Sequence, residues 1–151
     1  MEQIIQLNNQ AKLSEHFVLG EFTKSASHPE IYNIPSHEAI ANLKRLCVWL
    51  EVLRERSDGP VRINSGYRSP QLNRKIGGAP TSNHLTGCAC DIKVSGMEQA
   101  LRYANILLDY ADESKREFDE LLIEKNRYGA IWVHFAVRPK ENRRKVLFIN
   151  A

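Results

Sequence analysis

The chain is short of three things, and each absence excludes a class of protein. No stretch approaches the ~20 consecutive apolar residues that a helix needs to cross a bilayer, so no membrane span is expected. Charge of one sign is also scarce: 21 basic against 18 acidic side chains leave a net +3. A nucleic-acid binder concentrates its basic residues more heavily, and no nucleic-acid partner is expected. The mild positive balance would suit the surface of an anionic polymer. Three cysteines, Cys47, Cys88 and Cys90, are an odd number without repeated C-x-x-C spacing. That excludes a disulfide framework and a zinc finger. No internal repeat or low-complexity tract is present. The opening Met1-Glu2-Gln3-Ile4-Ile5-Gln6 lacks the charged-then-apolar pattern of a secretion signal. Cytoplasmic synthesis is therefore expected, with another agent carrying the protein to any outside substrate.

What is there fits one globular domain spanning residues 1–151, with 42% hydrophobic and 26% charged residues. A chain of this length buries roughly 70% of its unfolded surface, enough for a core without staples. Residues 1–35, punctuated by Pro29 and Pro35, read as an irregular N-terminal wrap. From Ser36, a capping residue, Ile40, Leu43, Leu46, Cys47, Leu50 and Leu53 recur at helical spacing until Asp58-Gly59-Pro60 ends the run. Val61–Asn64 alternates like a short strand, a short helix follows near Gln71–Ile76, and Cys88–Val94 reads as a second strand. Ser95 and Glu98 have capping-box spacing for a helix to about Ala111, with Met97, Leu101, Ala104 and Leu108 on its stripe. Strands are expected over Phe118–Glu124, Ala130–Val137 and Lys145–Asn150. The basic run Arg143-Arg144-Lys145 reads as a hairpin turn or solvated strand start, with a phosphate-binding patch as the alternative. Clustered strands and helices without strict alternation predict an α+β fold: a mostly antiparallel sheet with helices packed on one face.

Two of these strands carry chemistry on their outer faces. Because strand residues alternate, Cys88, Cys90, Ile92 and Val94 point to the core while Asp91 is presented on the other side. Likewise Ile131, Val133, Phe135 and Val137 form one face, and Trp132, His134 and Ala136 the other. His84 ends the polar loop before the first of these strands and could complete a set of two imidazoles and one carboxylate. Three protein ligands with an open water position are how catalytic zinc sites are built. Spacing alone leaves a metal site and hydrogen-bonded structural histidines equally open. Cys88 and Cys90 fall on the wrong face for this site and read as small core residues, Cys47 lies on the apolar stripe of the first helix and reads as core too, and His16, His28 and His37 read as surface or capping residues.

The sequence resembles the zinc peptidases of the D-Ala-D-Ala carboxypeptidase and L-Ala-D-Glu endopeptidase type, which share a fold with the hedgehog signalling domain. The resemblance is carried by Ile63-Asn64-Ser65-Gly66-Tyr67-Arg68-Ser69-Pro70, by Asn73-Arg74 and Gly77-Gly78, by Ser82 through Asp91, and by Trp132-Val133-His134. Phe17-Val18-Leu19-Gly20-Glu21-Phe22-Thr23 is similar to the start of a branch common in phages and prophages. The resemblance implies hydrolysis of peptides in peptidoglycan, with zinc held by His84, Asp91 and His134. It casts Arg68 as the group that neutralises a substrate carboxylate or the polarised carbonyl oxygen, and Ser82 as a substrate hydrogen-bonding residue or a loop cap. Relatives place an acid/base Glu or His two or three positions before the last histidine, where this chain has Trp132 and Ile131. Neither moves a proton. Glu124 is the expected substitute, with Glu120 on the same strand face as second choice.

The resemblance thus implies a carboxypeptidase-like or endolysin-type zinc peptidase that reaches the cell wall when a phage or prophage lyses its host; a monomer is the default expectation. A zinc-bearing, non-catalytic wall- or peptide-binding module of the same fold is the alternative, and a structural phage component the third reading.

Overall fold

A computed structural model describes residues 9–25 and 27–151; the reading of Met1–Gln6 lies outside them. Among the described residues between 9 and 35, regular structure amounts to one helical turn, α1 (Gly20–Thr23), and an isolated bridge between Lys12 and Val18. The segment is irregular, yet Phe17, Leu19 and Phe22 are fully buried in the core. Three apolar anchors thus close one side of the domain.

Ser36 caps α2 (His37–Ser57), its hydroxyl accepting the Ala39 N–H at 3.1 Å. Such a cap contributes about 1 kcal/mol. Leu43, Leu46, Cys47, Leu50 and Leu53 lie on the buried stripe, and Asp58 ends the helix in the left-handed region. β1 (Ile63–Ser65) follows, then α3 (Pro70–Lys75), capped by Ser69 with Pro70 at its first turn. A 3₁₀ turn over Asn83–Thr86 leads into β2 (Ala89–Lys93) and α4 (Met97–Ser114), and β3 (Glu120–Lys125), β4 (Ile131–Ala136) and β5 (Lys145–Asn150) complete the chain.

The sheet order is β1-β2-β4-β3-β5. Its first three pairings are antiparallel, and β5 runs parallel to β3 at the edge. The fold is therefore α+β with a mixed, mostly antiparallel sheet. The basic run before β5 does not make a hairpin, because β5 crosses to the far side of β3 instead of pairing with β4. α2 and α4 cover one sheet face. There the Trp49 ring lies 5.0 Å from Tyr110, 6.0 Å from Phe118 and 5.2 Å from Phe135, and Val133 of β4 is buried in the same core. The three cysteines are buried and free, Cys47 and Cys90 within this core, and burial pushes the Cys47 thiol up to about 12.

α4 departs from its sequence reading by one residue. Gly96, in extended conformation, occupies the cap position, and Gln99 rather than Glu98 reaches back, accepting the Ser95 N–H at 2.8 Å. The buried stripe is Ala100, Tyr103, Ala104, Leu107 and Ala111, while Met97 and Leu101 are exposed. One residue is 100° of helix rotation, and contact with α2 and the sheet selects the side carrying alanines, which permit close approach.

Candidate metal centre

Strand register brings the outer-face residues together. Asp91 pairs directly with His134, and His134 with Leu122, so Glu120 and Glu124 flank His134 along β3 on the same face. His84 arrives from the 3₁₀ turn. Ser82 caps that turn by accepting the His84 N–H at 3.1 Å, and Gly87 closes it at a positive φ of 76°. A side chain at Gly87 would place its Cβ 2.5 Å from the Ala39 carbonyl oxygen. Glycine is obligatory there.

Each imidazole has one nitrogen committed to the protein. His84 Nδ1 lies 2.7 Å from the Gly66 carbonyl, which can only accept, so the ring is protonated there and Nε2 is the nitrogen left to bind a metal. That Nε2 faces Asp91 Oδ1 at 3.4 Å. His134 Nε2 lies 2.8 Å from Glu120 Oε1, and its Nδ1 faces the same Asp91 oxygen at 3.2 Å. One potential ligand atom from each of His84, Asp91 and His134 lies within 4.8 Å of the others. An imidazole oriented by an acceptor on its far nitrogen is the usual form of a metal-binding histidine. The donor set therefore fits a metal ion that accepts nitrogen and oxygen ligands.

Electrostatics show what the three residues do without a cation between them. Burial works to raise the Asp91 carboxyl, but His84 and His134 outweigh it and hold it well below the usual range. Burial pulls His134 down, yet its hydrogen bonds to Asp91 and Glu120 prevail and push it up to about 9. A raised folded-state value means that the stabilisation is complete below the unfolded histidine value of ~6.5 and is lost as pH climbs through about 9. Metal-free protein is therefore expected to melt progressively lower between those pH values. Thermal scans across that range check it, and a flat profile would show that His134 is not held as an imidazolium.

These groups line a cleft of about 400 Å³ together with Arg68, Ser82, Glu120, Glu124 and Trp132. Arg68 donates its backbone N–H to the His84 carbonyl at 3.0 Å, tying the two motifs together. Its guanidinium is held loosely, 3.6 Å from Asp91 Oδ2 and 3.3 Å from Asn73 Oδ1. Gly78 makes room for this arrangement: a Cβ there would lie 2.0 Å from Asn73 Oδ1.

The family model described as Peptidase M15 matches residues 15–121. The chain belongs to the peptidase M15 family. Arg68, Ser82, His84, Asp91 and Glu120 fall within the matched residues, while Glu124, Trp132 and His134 lie beyond them. M15 peptidases are metallopeptidases, and in this member His84, Asp91 and His134 form a group that could hold the ion. No curated protein matches the chain.

In this M15 peptidase the two flanking carboxylates differ in their surroundings. Glu120 is occupied: the His134 hydrogen bond above all, with a further one from Asn83 at 2.8 Å, outweighs burial and holds it at about 2. Among the described residues Glu124 accepts a single hydrogen bond, from the Trp132 indole N–H at 3.0 Å, and burial pushes its carboxyl up. Trp132 moves no proton itself, but it fixes the carboxylate beside it.

Sequence reading missed a network behind Glu120. Asp119 is fully buried and receives the Arg143 backbone N–H and Nε at 3.0 Å and its Nη2 at 2.8 Å. Arg138 Nε lies 3.2 Å away, and Asn83 donates to Asp119 as well as to Glu120. Arg143 is thus a structural clamp on Asp119, which corrects the solvated strand start expected of it. The available signal was Asp119 itself, an acid on the core side of its strand, which requires cationic partners when buried.

Proposed function

We propose that this M15 peptidase is a zinc enzyme that hydrolyses an amide bond in peptidoglycan stem peptides or cross-links. The observation that carries this reading is the pair of imidazoles, each with its far nitrogen committed to an acceptor, converging on Asp91 beside Glu124 and Arg68. His84, Asp91 and His134 would hold the zinc ion, which would supply Lewis acidity to polarise a carbonyl and lower the pKa of water to about 7.

The chain's own residues do the rest. Glu124, with its carboxyl pushed up by burial, takes the proton of the attacking water and delivers it to the departing amine. Trp132 holds one Glu124 oxygen, leaving the other for that transfer. Arg68 neutralises a substrate carboxylate or the charge developing on the carbonyl oxygen, and its long contacts leave N–H groups available. Ser82 retains its hydroxyl hydrogen for the substrate, since its oxygen only accepts from His84.

D-Ala-D-Ala carboxypeptidase-like trimming and endolysin-type endopeptidase cleavage are both compatible with a cleft of this kind. A monomer delivered to the wall by phage or prophage lysis completes the proposal, and among the described residues no helix is long and apolar enough to cross a membrane. The alternative, a zinc-bearing binding module without catalysis, drew on the lack of a proton carrier at Ile131 and Trp132. Glu124 beside Trp132 supports the enzyme instead.

Mass spectrometry of peptidoglycan digested with the pure protein, with and without a chelator, tests the proposal. A new peptide end that appears only with zinc is expected, and it names the bond. Intact sacculi after incubation with zinc-loaded protein would overturn the catalytic reading.

A further inference from the structure

Pairing of β2 with β4 holds Asp91 against His134, but the turn that carries His84 lies outside the sheet. One side chain of that turn reaches across to the His134 side of the centre. Asn83, next to His84 in the chain, is buried, and its amide nitrogen donates to Asp119 Oδ2 and to Glu120 Oε1, both at 2.8 Å. Its amide oxygen accepts from Arg138 Nε at 3.0 Å. These partners fix the orientation of the amide, because ionised carboxylates only accept and a guanidinium only donates. A flipped amide would set oxygen against oxygen and N–H against N–H.

The two bonds from that nitrogen differ in consequence. Asp119 already receives three bonds from Arg143, with Arg138 Nε 3.2 Å away. Glu120 is held by less: its Oε2 lies 3.3 Å from Arg143 Nη2, and its Oε1 meets His134 Nε2 at 2.8 Å. The Asn83 N–H therefore lands on the same Glu120 oxygen that orients the His134 ring. Two donors at 2.8 Å on one oxygen fix its place, whereas His134 and Arg143 alone would leave the carboxylate free to swing with the imidazole. The main chain of Asn83 completes the link, its carbonyl accepting the Cys88 N–H at 3.0 Å and closing the turn ahead of β2.

We propose that Asn83 is a positioning residue for the metal centre, its amide holding Glu120, and through it the His134 ring, in register with the neighbouring His84. The inference rests on the reading of His84, Asp91 and His134 as metal ligands. Arg138 positions Asn83 in turn. It stands at the start of the β4–β5 connection, where Asn142 accepts its backbone N–H at 2.8 Å. A chain of side chains from three separate segments thus ends on one imidazole, and none of its outer members touches the ion.

The test is a double-mutant cycle on zinc affinity, read by competition with a chromophoric chelator, using N83A, E120A and N83A/E120A. Loss of an outer partner of a metal-binding histidine weakens metal binding by about 10–100-fold. N83A is expected to lose about tenfold, and N83A/E120A is expected to bind zinc as E120A does, because Asn83 acts through Glu120. Losses that multiply, the mark of independent sites, would overturn the inference, as would wild-type affinity in N83A. Should N83A not fold, R138Q is measured in its place. It removes the donor to the Asn83 oxygen from a half-exposed side chain and must show the same dependence on Glu120. A second readout needs no metal. In metal-free protein the His134 Nε2 proton, held on Glu120, is expected as a sharp downfield resonance that N83A broadens through solvent exchange. An unchanged resonance would overturn the inference whether or not the wild type takes up zinc. A broadened one in a protein that takes up none would sustain the positioning of His134 and overturn the metal reading alone.

Discussion

Asp91→Ala is expected to empty the metal centre and abolish hydrolysis. Asp91 is the one residue that both histidines face, through a single oxygen at 3.4 Å from His84 and 3.2 Å from His134. Loss of a group that merely orients a ligand weakens metal binding by about 10–100-fold, so loss of a ligand should exceed about 100-fold. Metal analysis by mass spectrometry after gel filtration reads this directly. The substitution also leaves His134 and Arg68 without their shared partner, so Asp91→Asn serves as the variant that keeps hydrogen-bonding shape while removing the charge. Zinc retained at full occupancy by both variants, with activity intact, would place the ion elsewhere.

Glu124→Gln and Glu120→Ala are expected to fail in opposite ways. Both carboxylates flank His134 on β3, and sequence alone ranks them only by position. Glu124 has one donor, Trp132, and a carboxyl raised by burial, as a group exchanging protons near neutral pH requires. Glu124→Gln should therefore lower kcat by about 10²–10⁴-fold with zinc content unchanged. Glu120 is locked onto His134 and Asn83. Its removal frees the His134 ring, so zinc affinity should fall about 10–100-fold and kcat should recover at saturating zinc. Steady-state kinetics across a zinc titration separate the two. The reverse pattern, with Glu120→Ala inactive at saturating zinc and Glu124→Gln active, would exchange their roles.

The legibility of this site in the sequence depended on period. β2 and β4 are short and strictly alternating, so the outward side of Asp91 and His134 followed from residue order, and helix packing on the other face left no alternative. Cys88 and Cys90, buried and free, were readable for the same reason, and Cys47 from the helical period of its own stripe. α4 was less legible, because Ser95-Gly96-Met97-Glu98-Gln99 offers two overlapping capping frames. Only packing against α2 chose the one that exposes Met97 and Leu101. Arg143 was misread because a basic run next to a strand has no period at all, and its partner Asp119 lies 24 residues away.

By itself, then, the sequence determined the α+β class, the capped first helix, and the strand faces that carry Asp91, His134, Glu120 and Glu124. These follow from local rules, since alternation and capping act over a few residues. Tertiary structure alone decided register: that Asp91 stands opposite His134, that Trp132 stands opposite Glu124 and donates to it, and that β5 joins β3 in parallel. It also decided which nitrogen of each histidine is spent, because the acceptors, Gly66 and Glu120, come from segments distant in the chain. Those contacts are set by how strands slide against one another under the demands of a common core, which no single segment encodes.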